Sequence, residues 1–483
     1  MSDALRAAAQ GRPDAAGLDD GGRVWTYAEF DAAVGRMARR LAPLGAQPGS
    51  TVALVAHPNA LSVQALWAVP RTGAVLAPLS PRLGTASMER ALDVIGPDLI
   101  LSTEQDVHDP ELEATLDADW ITTLDDLPKP AGGEGGAAVA DPVGVPGARA
   151  EPEMSPFALL WTSGTSGDAS AVPILSSALE ANARASVARL ALTEADRWYA
   201  SLSLGHVGGL ALVHRTAHVG CTLLVRGRFS TQVLAELIGR EGLTHASLVP
   251  TMLRSLVEER AGEPVPSTVR CLLVGGAAAD GALVPNAIGH GYPIALTYGL
   301  TEACSQVATA PPNLVGEKPG TVGPPLDGVE IRIRENGEIC VCGPTVSPGV
   351  ADEAGWLATG DLGRLDDDGH LWISGRISDR IVTGGASVDP SAVEMVLEGL
   401  PGVLRAAVVG LPDDVWGETV AVLIVSDPGT EADPEALMAQ ARERLSTAES
   451  PRRVEFADEL PLNANGKLDR TEVRTFFLDA SHA

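Results

Sequence analysis

The sequence predicts an α/β protein in more than one part: a large N-terminal domain of α/β sheets plus a β-rich subdomain, then a small α+β C-terminal domain. Three observations carry this. At 483 residues the chain exceeds what one ordinary hydrophobic core serves, so it must divide. Short apolar runs alternate with helical periodicity up to about residue 125 and again after residue 156, the pattern of parallel strand–helix–strand units. From about residue 319 glycine-punctuated strands take over, and the last hundred or so residues return to a compact mixture.

The elements follow in order. "YAEFDAAVGRMARRLAPLG" spaces its apolar residues for a helix and stops at a glycine. "STVALVAH" and "GAVLAPLS" read as buried strands with the helix "ALSVQALWAVPRTG" between them, one parallel unit. Residues 127–156 lose all periodicity in glycine, proline and alanine and read as a surface loop. After the strand "FALLWT" a second α/β run contains "HASLVPTMLRSLVEE", "VRCLLVGGA" and "PIALTYGLTEA". "PGTVGPPLDGVEIRIRENGEICVCGP" and "GHLWISGR" are the punctuated strands. The final unit offers the helix "SAVEMVLEGL" and the strands "RAAVVGLP" and "VAVLIV".

Hydrophobic residues make up 45% and aromatic ones 4%, so alanine, valine and leucine must do most of the packing. Thirty-five basic against 63 acidic residues leave a net charge of −28, which repels nucleic acid and anionic membranes. A small anion is still permitted, because a local cluster of donors can hold it against the global field. Five scattered cysteines (Cys221, Cys271, Cys304, Cys340, Cys342) are no disulfide framework. Cys340 and Cys342 sit two apart on a strand without a nearby His or Cys partner, so core packing is the better reading. The N-terminus carries no secretory pattern, and the most apolar region, residues 52–79, is broken by His57, Pro58, Asn59, Gln64, Pro70 and Arg71. A cytoplasmic location with no membrane span is expected.

Chemistry first shows at "TSGTSG", Thr162, Ser163, Gly164, Thr165, Ser166 and Gly167. Glycines let the backbone approach a ligand, and N–H groups with hydroxyls make an anion nest. An isolated hexamer of this kind is more often a linker, and the Walker pattern GxxxxGK[ST] is absent.

It does not stand alone. "YGLTEACSQ" (298–306), "WLATGDLGRLDDDGHLWISGR" (356–376) and "LPLNANGKLDR" (460–470) follow in order. Together they resemble the core motifs of the adenylate-forming superfamily of acyl- and aryl-CoA synthetases, peptide-synthetase adenylation domains and luciferases, over nearly the whole chain. "HVGGL", "SQVATAPP" and "PDDVWGE" resemble the CoA-ligase branch, notably the o-succinylbenzoate-CoA type, and there is a fainter resemblance to antibiotic-pathway ligases for diterpenoid acids.

The resemblance implies ATP (or AMP within an acyl-adenylate), coenzyme A and Mg2+ as cofactors, and an AMP-forming acid–thiol ligase as the enzyme. Tyr298 would stack on adenine opposite Gly275, Gly276 and Ala277, with Gly299 beside it. Thr301 would touch the α-phosphate, and Glu302 would hold Mg2+, a hard ion suited to carboxylate oxygen. Asp361, helped by Arg376, would accept from the ribose diol. Lys467 would bridge substrate carboxylate and phosphate during adenylation, and His206 and Gly275 would border the acyl pocket. The resemblance also makes the C-terminal domain mobile: residues 1–377 bind nucleotide and acid, and residues 378–483 swing about Ser378, presenting either Lys467 or the pair Gly384–Gly385.

The departures are concentrated. Where the family's phosphate loop has Pro-Lys-Gly this chain has Ala169, Ser170 and Ala171. Ser378 replaces the usual Asp or Lys at the hinge, Ala386–Ser387 replace Glu-Asn, and Leu296 replaces the common Asn. A serine cannot neutralise the β- and γ-phosphates as a lysine does. Two readings stay open: drift in a full two-step synthetase, or an enzyme deficient in adenylation that makes thioester from acyl-adenylate supplied by a partner adenylating enzyme. The retained Lys467 speaks for the first. Transfer to a carrier protein or an amine, and a non-catalytic nucleotide-binding relic, are further alternatives. Arg226, Arg228, Arg380, Arg452 and Arg453 are candidates for the CoA 3′-phosphate, and the chain is expected as monomer or homodimer.

Overall fold

Parallel β-structure dominates the first two thirds of the chain, as the alternating pattern requires. The computed structural model describes residues 3–103, 121–124, 156–162, 170–277, 282–427, 433–462 and 468–479. Much of the expected surface loop at 127–156 therefore lies outside the described residues.

One sheet has six strands in the order Ile121–Thr123, Leu99–Ser102, Thr51–Val55, Val75–Leu79, Ala158–Thr162, Ser170–Ile174. All its pairings are parallel except the last, where Thr162 lies opposite Ser170 in an antiparallel hairpin. A second sheet of eight strands runs Ser305–Ala310, Ile294–Leu300, Cys271–Val274, His245–Leu248, Arg197–Tyr199, Thr222–Leu224, Ala16–Asp19, Val24–Thr26. It is parallel in its centre and antiparallel at both edges.

Helices fill the space between these sheets. Tyr27–Leu41 starts on a capping box, Thr26 accepting from the Glu29 N–H while the Glu29 carboxylate accepts from the Thr26 N–H. Its apolar stripe, Phe30, Val34, Met37 and Leu41, is buried. One continuous core joins Leu54, Leu76 and Leu160 of the first sheet to Trp198, Leu223 and Leu273 of the second, through Leu179 of Ser176–Leu190 and Leu210 of Val207–Val219. Both helices are apolar on more than one side because both have sheet or helix around them.

The punctuated strands form a third, antiparallel sheet of Glu330–Ile333, Glu338–Cys342, Leu357–Leu365 and Leu371–Arg376. The last part has its own cores around Ile381, Val393, Val408 and Val422, and around Val409, Leu423 and Phe477. Its sheet orders Ala386–Val388, Ile381–Thr383, Gly417–Ser426 and Val403–Asp413, with Arg453–Phe456 parallel to Gly417–Ser426. The α/β architecture with a smaller α+β C-terminal part is thus observed. Among the described residues no helix is long and apolar enough to cross a membrane.

Candidate active site

Neighbouring strand ends bring the motifs around Gly275 and Tyr298 together. Gly275–Ala277 leave the strand Cys271–Val274, and Tyr298 and Gly299 lie on the parallel neighbour Ile294–Leu300. A Cβ on Gly275 would stand 2.5 Å from the Thr297 methyl and 2.8 Å from its carbonyl, so no side chain fits there. Thr301 and Glu302 occupy the short 3₁₀ turn that follows, and the chain returns through Cys304 (φ 52°) and Ser305 (φ 90°). Two consecutive non-glycine residues in the left-handed region are costly, and the surrounding contacts must hold them.

The third sheet supplies the partner groups. Asp361 and Arg376 face each other across its last two strands, and the Arg376 Nε donates to Asp361 Oδ1 at 2.5 Å. The Tyr298 hydroxyl donates to Asp361 Oδ2 at 2.7 Å, linking the second sheet to the third. Burial, and then the adjacent Asp361 carboxylate, push the Tyr298 hydroxyl above its ordinary pKa, so it remains a donor. Burial alone would lower the Arg376 guanidinium, but Asp361 more than reverses this. Asp361 itself is 6% exposed. The result is a buried carboxylate with a phenol and a guanidinium on its two oxygens. The Tyr298–Asp361 bond was not anticipated from the motifs, because it depends on how two sheets dock.

Glu302 is half-buried; its carbonyl accepts from the Ser347 N–H at 2.8 Å, which fixes the backbone while its carboxylate has no partner among the described residues. A half-buried, uncommitted carboxylate fits a hard divalent cation. Asp366, Asp368 and His370 also cluster, but the Lys318 ammonium already pairs with both carboxylates and offsets part of their charge. Cys340 is buried and Cys342 half-buried; neither joins that cluster.

Other candidates are placed less directly. Thr162 ends its strand, and its Oγ1 lies 3.2 Å from the Ser170 Oγ. Ser170 thus opens a strand opposite the loop's first residue, an element the serine- and alanine-rich text did not suggest. Ser163, Gly164, Thr165, Ser166, Gly167 and Lys467 lie outside the described residues. His206 caps the helix Val207–Val219, its Nδ1 accepting from the Gly208 N–H at 3.2 Å. Ser378 lies in the 3₁₀ turn Ile377–Asp379. Gly384 (φ 57°) and Gly385 (φ 82°) form a turn against Trp416. Leu296 is buried between Val274 and Ala310.

One expectation is corrected: Arg226 is not a free cation for a phosphate. It is paired with Asp19 at 3.0 Å and Glu241 at 2.9 Å, and these two carboxylates hold it in place. Arg452 lies over the Trp416 ring at 4.2 Å.

A family model for AMP-binding enzymes matches residues 5–350, and one for the AMP-binding enzyme C-terminal domain matches residues 392–467. The 2-succinylbenzoate–CoA ligase of Geobacillus kaustophilus is 33% identical, covering 96% of this chain and 95% of its own. The o-succinylbenzoate CoA synthetase of Bacillus subtilis in complex with its acyl-adenylate intermediate superimposes with a TM-score of 0.86 at 32% identity, over 98% of both chains. A double mutant of that enzyme bound with a product analogue gives 0.70 at 31% identity, again over 98% of both.

Proposed function

Since the chain belongs to the AMP-binding enzyme family and is an AMP-forming acid–thiol ligase, we propose that it acts with ATP, Mg2+ and CoA, with a division of labour among its residues and a first acid to test. The observation that carries the proposal is the Asp361 carboxylate held between Tyr298 and Arg376. The ring of Tyr298 and the close-packed Gly275–Ala277 turn make the two walls for adenine. Asp361 takes the ribose diol on its remaining lone pairs, since a carboxylate offers about four acceptor directions.

The chemistry has two steps. A carboxylate oxygen of the acid attacks the α-phosphorus of ATP and expels pyrophosphate. The CoA sulfur, losing its proton to solvent, then attacks the acyl carbon and expels AMP. Glu302 would hold Mg2+, which supplies charge neutralisation at the phosphates when bound. Thr301 positions the α-phosphate, and Lys467 stabilises the charge developing there. For the second step the part beyond Ser378 turns, so that Gly384 and Gly385 replace Lys467 beside the acyl group. Domain boundaries at 1–377 and 378–483 go with this reading. The higher TM-score with the adenylate complex than with the product-analogue complex, at nearly equal identity, supports an arrangement of the two parts nearer the first step.

The acid of the relatives, 2-succinylbenzoate, is the first substrate to try. A finer reading is that adenylation is weakened, since Ser170 begins a strand where a lysine would neutralise the triphosphate. A paired assay separates the possibilities. One tube receives ATP, Mg2+, CoA and 2-succinylbenzoate or a panel of aryl acids; the other receives the synthetic acyl-adenylates and CoA. Thioester in the second tube alone supports the weakened-adenylation reading. Efficient ATP–pyrophosphate exchange removes that reading and leaves a full synthetase, and silence in both tubes overturns the assignment of these acids.

A further inference from the structure

We propose that Gln306 is a positioning residue for the nucleotide half of the site, acting through Thr297 and the Thr301–Glu302 turn and itself oriented by the buried Arg215. The inference rests on the nucleotide reading above, and goes beyond it by assigning work to two residues that touch no substrate in that scheme.

Gln306 is 3% exposed and lies across from Gly299, with an irregularity in the pairing just before it. Its Oε1 accepts from the Arg215 guanidinium at 2.5 Å and from the Ser186 hydroxyl at 2.5 Å. Its Nε2 donates to the Thr309 hydroxyl at 2.8 Å and the Thr297 hydroxyl at 3.3 Å. Its backbone carbonyl accepts from the Asn182 side chain at 2.9 Å. The amide can point only one way. Arg215 has donors and no acceptor, so it must meet the oxygen, which turns the NH2 toward the threonines.

Arg215 is 2% exposed and has no salt bridge among the described residues. Burial lowers its pKa, to about 10, which still leaves it charged at neutral pH. A buried cation whose surroundings are the Trp198 ring at 5.1 Å and the sulfurs of Cys271, Cys221 and Cys304 is a strong, fixed orienter for one amide. Through that amide the helices Ser176–Leu190 and Val207–Val219 are tied to Thr297, whose methyl and carbonyl are what Gly275 packs against. The same tie sits one residue beyond the strained Cys304–Ser305 pair that returns from Thr301 and Glu302. One side chain therefore ties into both an adenine wall and a phosphate turn, beside the bonds that the Thr297 hydroxyl makes to the Ala308 carbonyl at 3.0 Å and the Thr309 hydroxyl at 2.9 Å.

The experiment uses the full chain with AMP as probe. Titration calorimetry is run on wild type, Gln306→Leu and Gln306→Glu, with thermal unfolding of each, and KM for CoA is measured with a synthetic acyl-adenylate. Gln306→Leu is expected to weaken AMP at least tenfold and leave KM for CoA within twofold. Gln306→Glu, which keeps an acceptor for Arg215 while the threonine hydroxyls turn to donate, is expected within threefold of wild type. If Gln306→Leu fails to fold, Thr309→Val decides, with AMP weakened at least threefold expected. Unchanged AMP affinity in a folded Gln306→Leu (or, where that variant does not fold, in Thr309→Val), an equal rise in KM for CoA, or no rescue by Gln306→Glu overturns the proposal. Wild type that fails to bind AMP overturns instead the nucleotide reading on which it rests.

Discussion

Asp361 carries a phenol and a guanidinium besides the ribose contact proposed for it, and this makes its neighbours separable by mutation. Tyr298→Phe keeps the ring and removes only the hydroxyl on Oδ2. AMP affinity should stay within about threefold, while thermal stability falls by the equivalent of about 1–3 kcal/mol, the cost of an unmet buried acceptor. Asp361→Asn removes the charge that Arg376 meets and that the proposed ribose contact would use. Calorimetry should show AMP weakened about 10- to 100-fold, or about 1.4–2.8 kcal/mol. The Tyr298 hydroxyl, pushed upward by burial and by Asp361, stays protonated well above neutrality, so raising the pH through the mildly alkaline range should leave AMP affinity unchanged on its account. At this scale the sequence was informative about residue types and silent about who bonds whom. "YGLTE" and "TGD" are 57 or more residues apart, and only the docking of two sheets joins the phenol to the carboxylate. Gln306 was visible within "YGLTEACSQ", yet nothing local points to a cation 91 residues earlier.

Among elements, the proposed hinge and the glycine turn have the clearest consequences. Arg376 is anchored on Asp361, and Asp379 on Arg470 at 3.3 Å, so only Ile377 and Ser378 are left between two fastened side chains. The swing proposed for the last part would be absorbed there. The turn at Gly384 and Gly385 gives a sharper test, because the two glycines differ. A Cβ on Gly384 would enter the Trp416 ring at 2.6 Å, whereas one on Gly385 meets open space. Both have positive φ, so an alanine at either costs about 1–2 kcal/mol of backbone strain. Gly384→Ala should therefore slow thioester formation from acyl-adenylate at least tenfold, and Gly385→Ala less, with AMP binding unchanged in both. Equal effects of the two would mean that Trp416 plays no part. Element types read well wherever apolar residues were periodic, as in Tyr27–Leu41 and Ala60–Arg71. The strand Ser170–Ile174 was missed because its text, "SAVPI", is short and holds a proline, which an edge strand tolerates.

For the whole molecule, the order of strand–helix units fixed the class, and the long apolar runs marked the two parallel sheets. What the text could not carry was the pairing across sheets, which arises from one core shared by both. The same limit applies to charge. Arg226 looked available in a linear reading, and folding spends it on Asp19 and Glu241 from opposite directions in the chain. Against a net charge of −28, basic side chains have many acidic suitors, so a phosphate-binding arginine is recognised by its neighbours more than by its presence.

The sulfurs around Arg215 turn the core into a clock. Burial pushes the thiols of Cys221, Cys271 and Cys304 up to about 12, so at neutral pH almost none is the reactive thiolate. Cys342 is half-buried and the other four are sealed. An aromatic disulfide reagent should colour with one thiol quickly and with the rest only as fast as the core opens. Saturating AMP at about 100 times its Kd should slow that second phase about a hundredfold, the kinetic face of about 2.7 kcal/mol of ligand stabilisation. Without any acid or CoA in hand, a stopwatch and a colorimetric reagent would then report whether nucleotide has entered the fold.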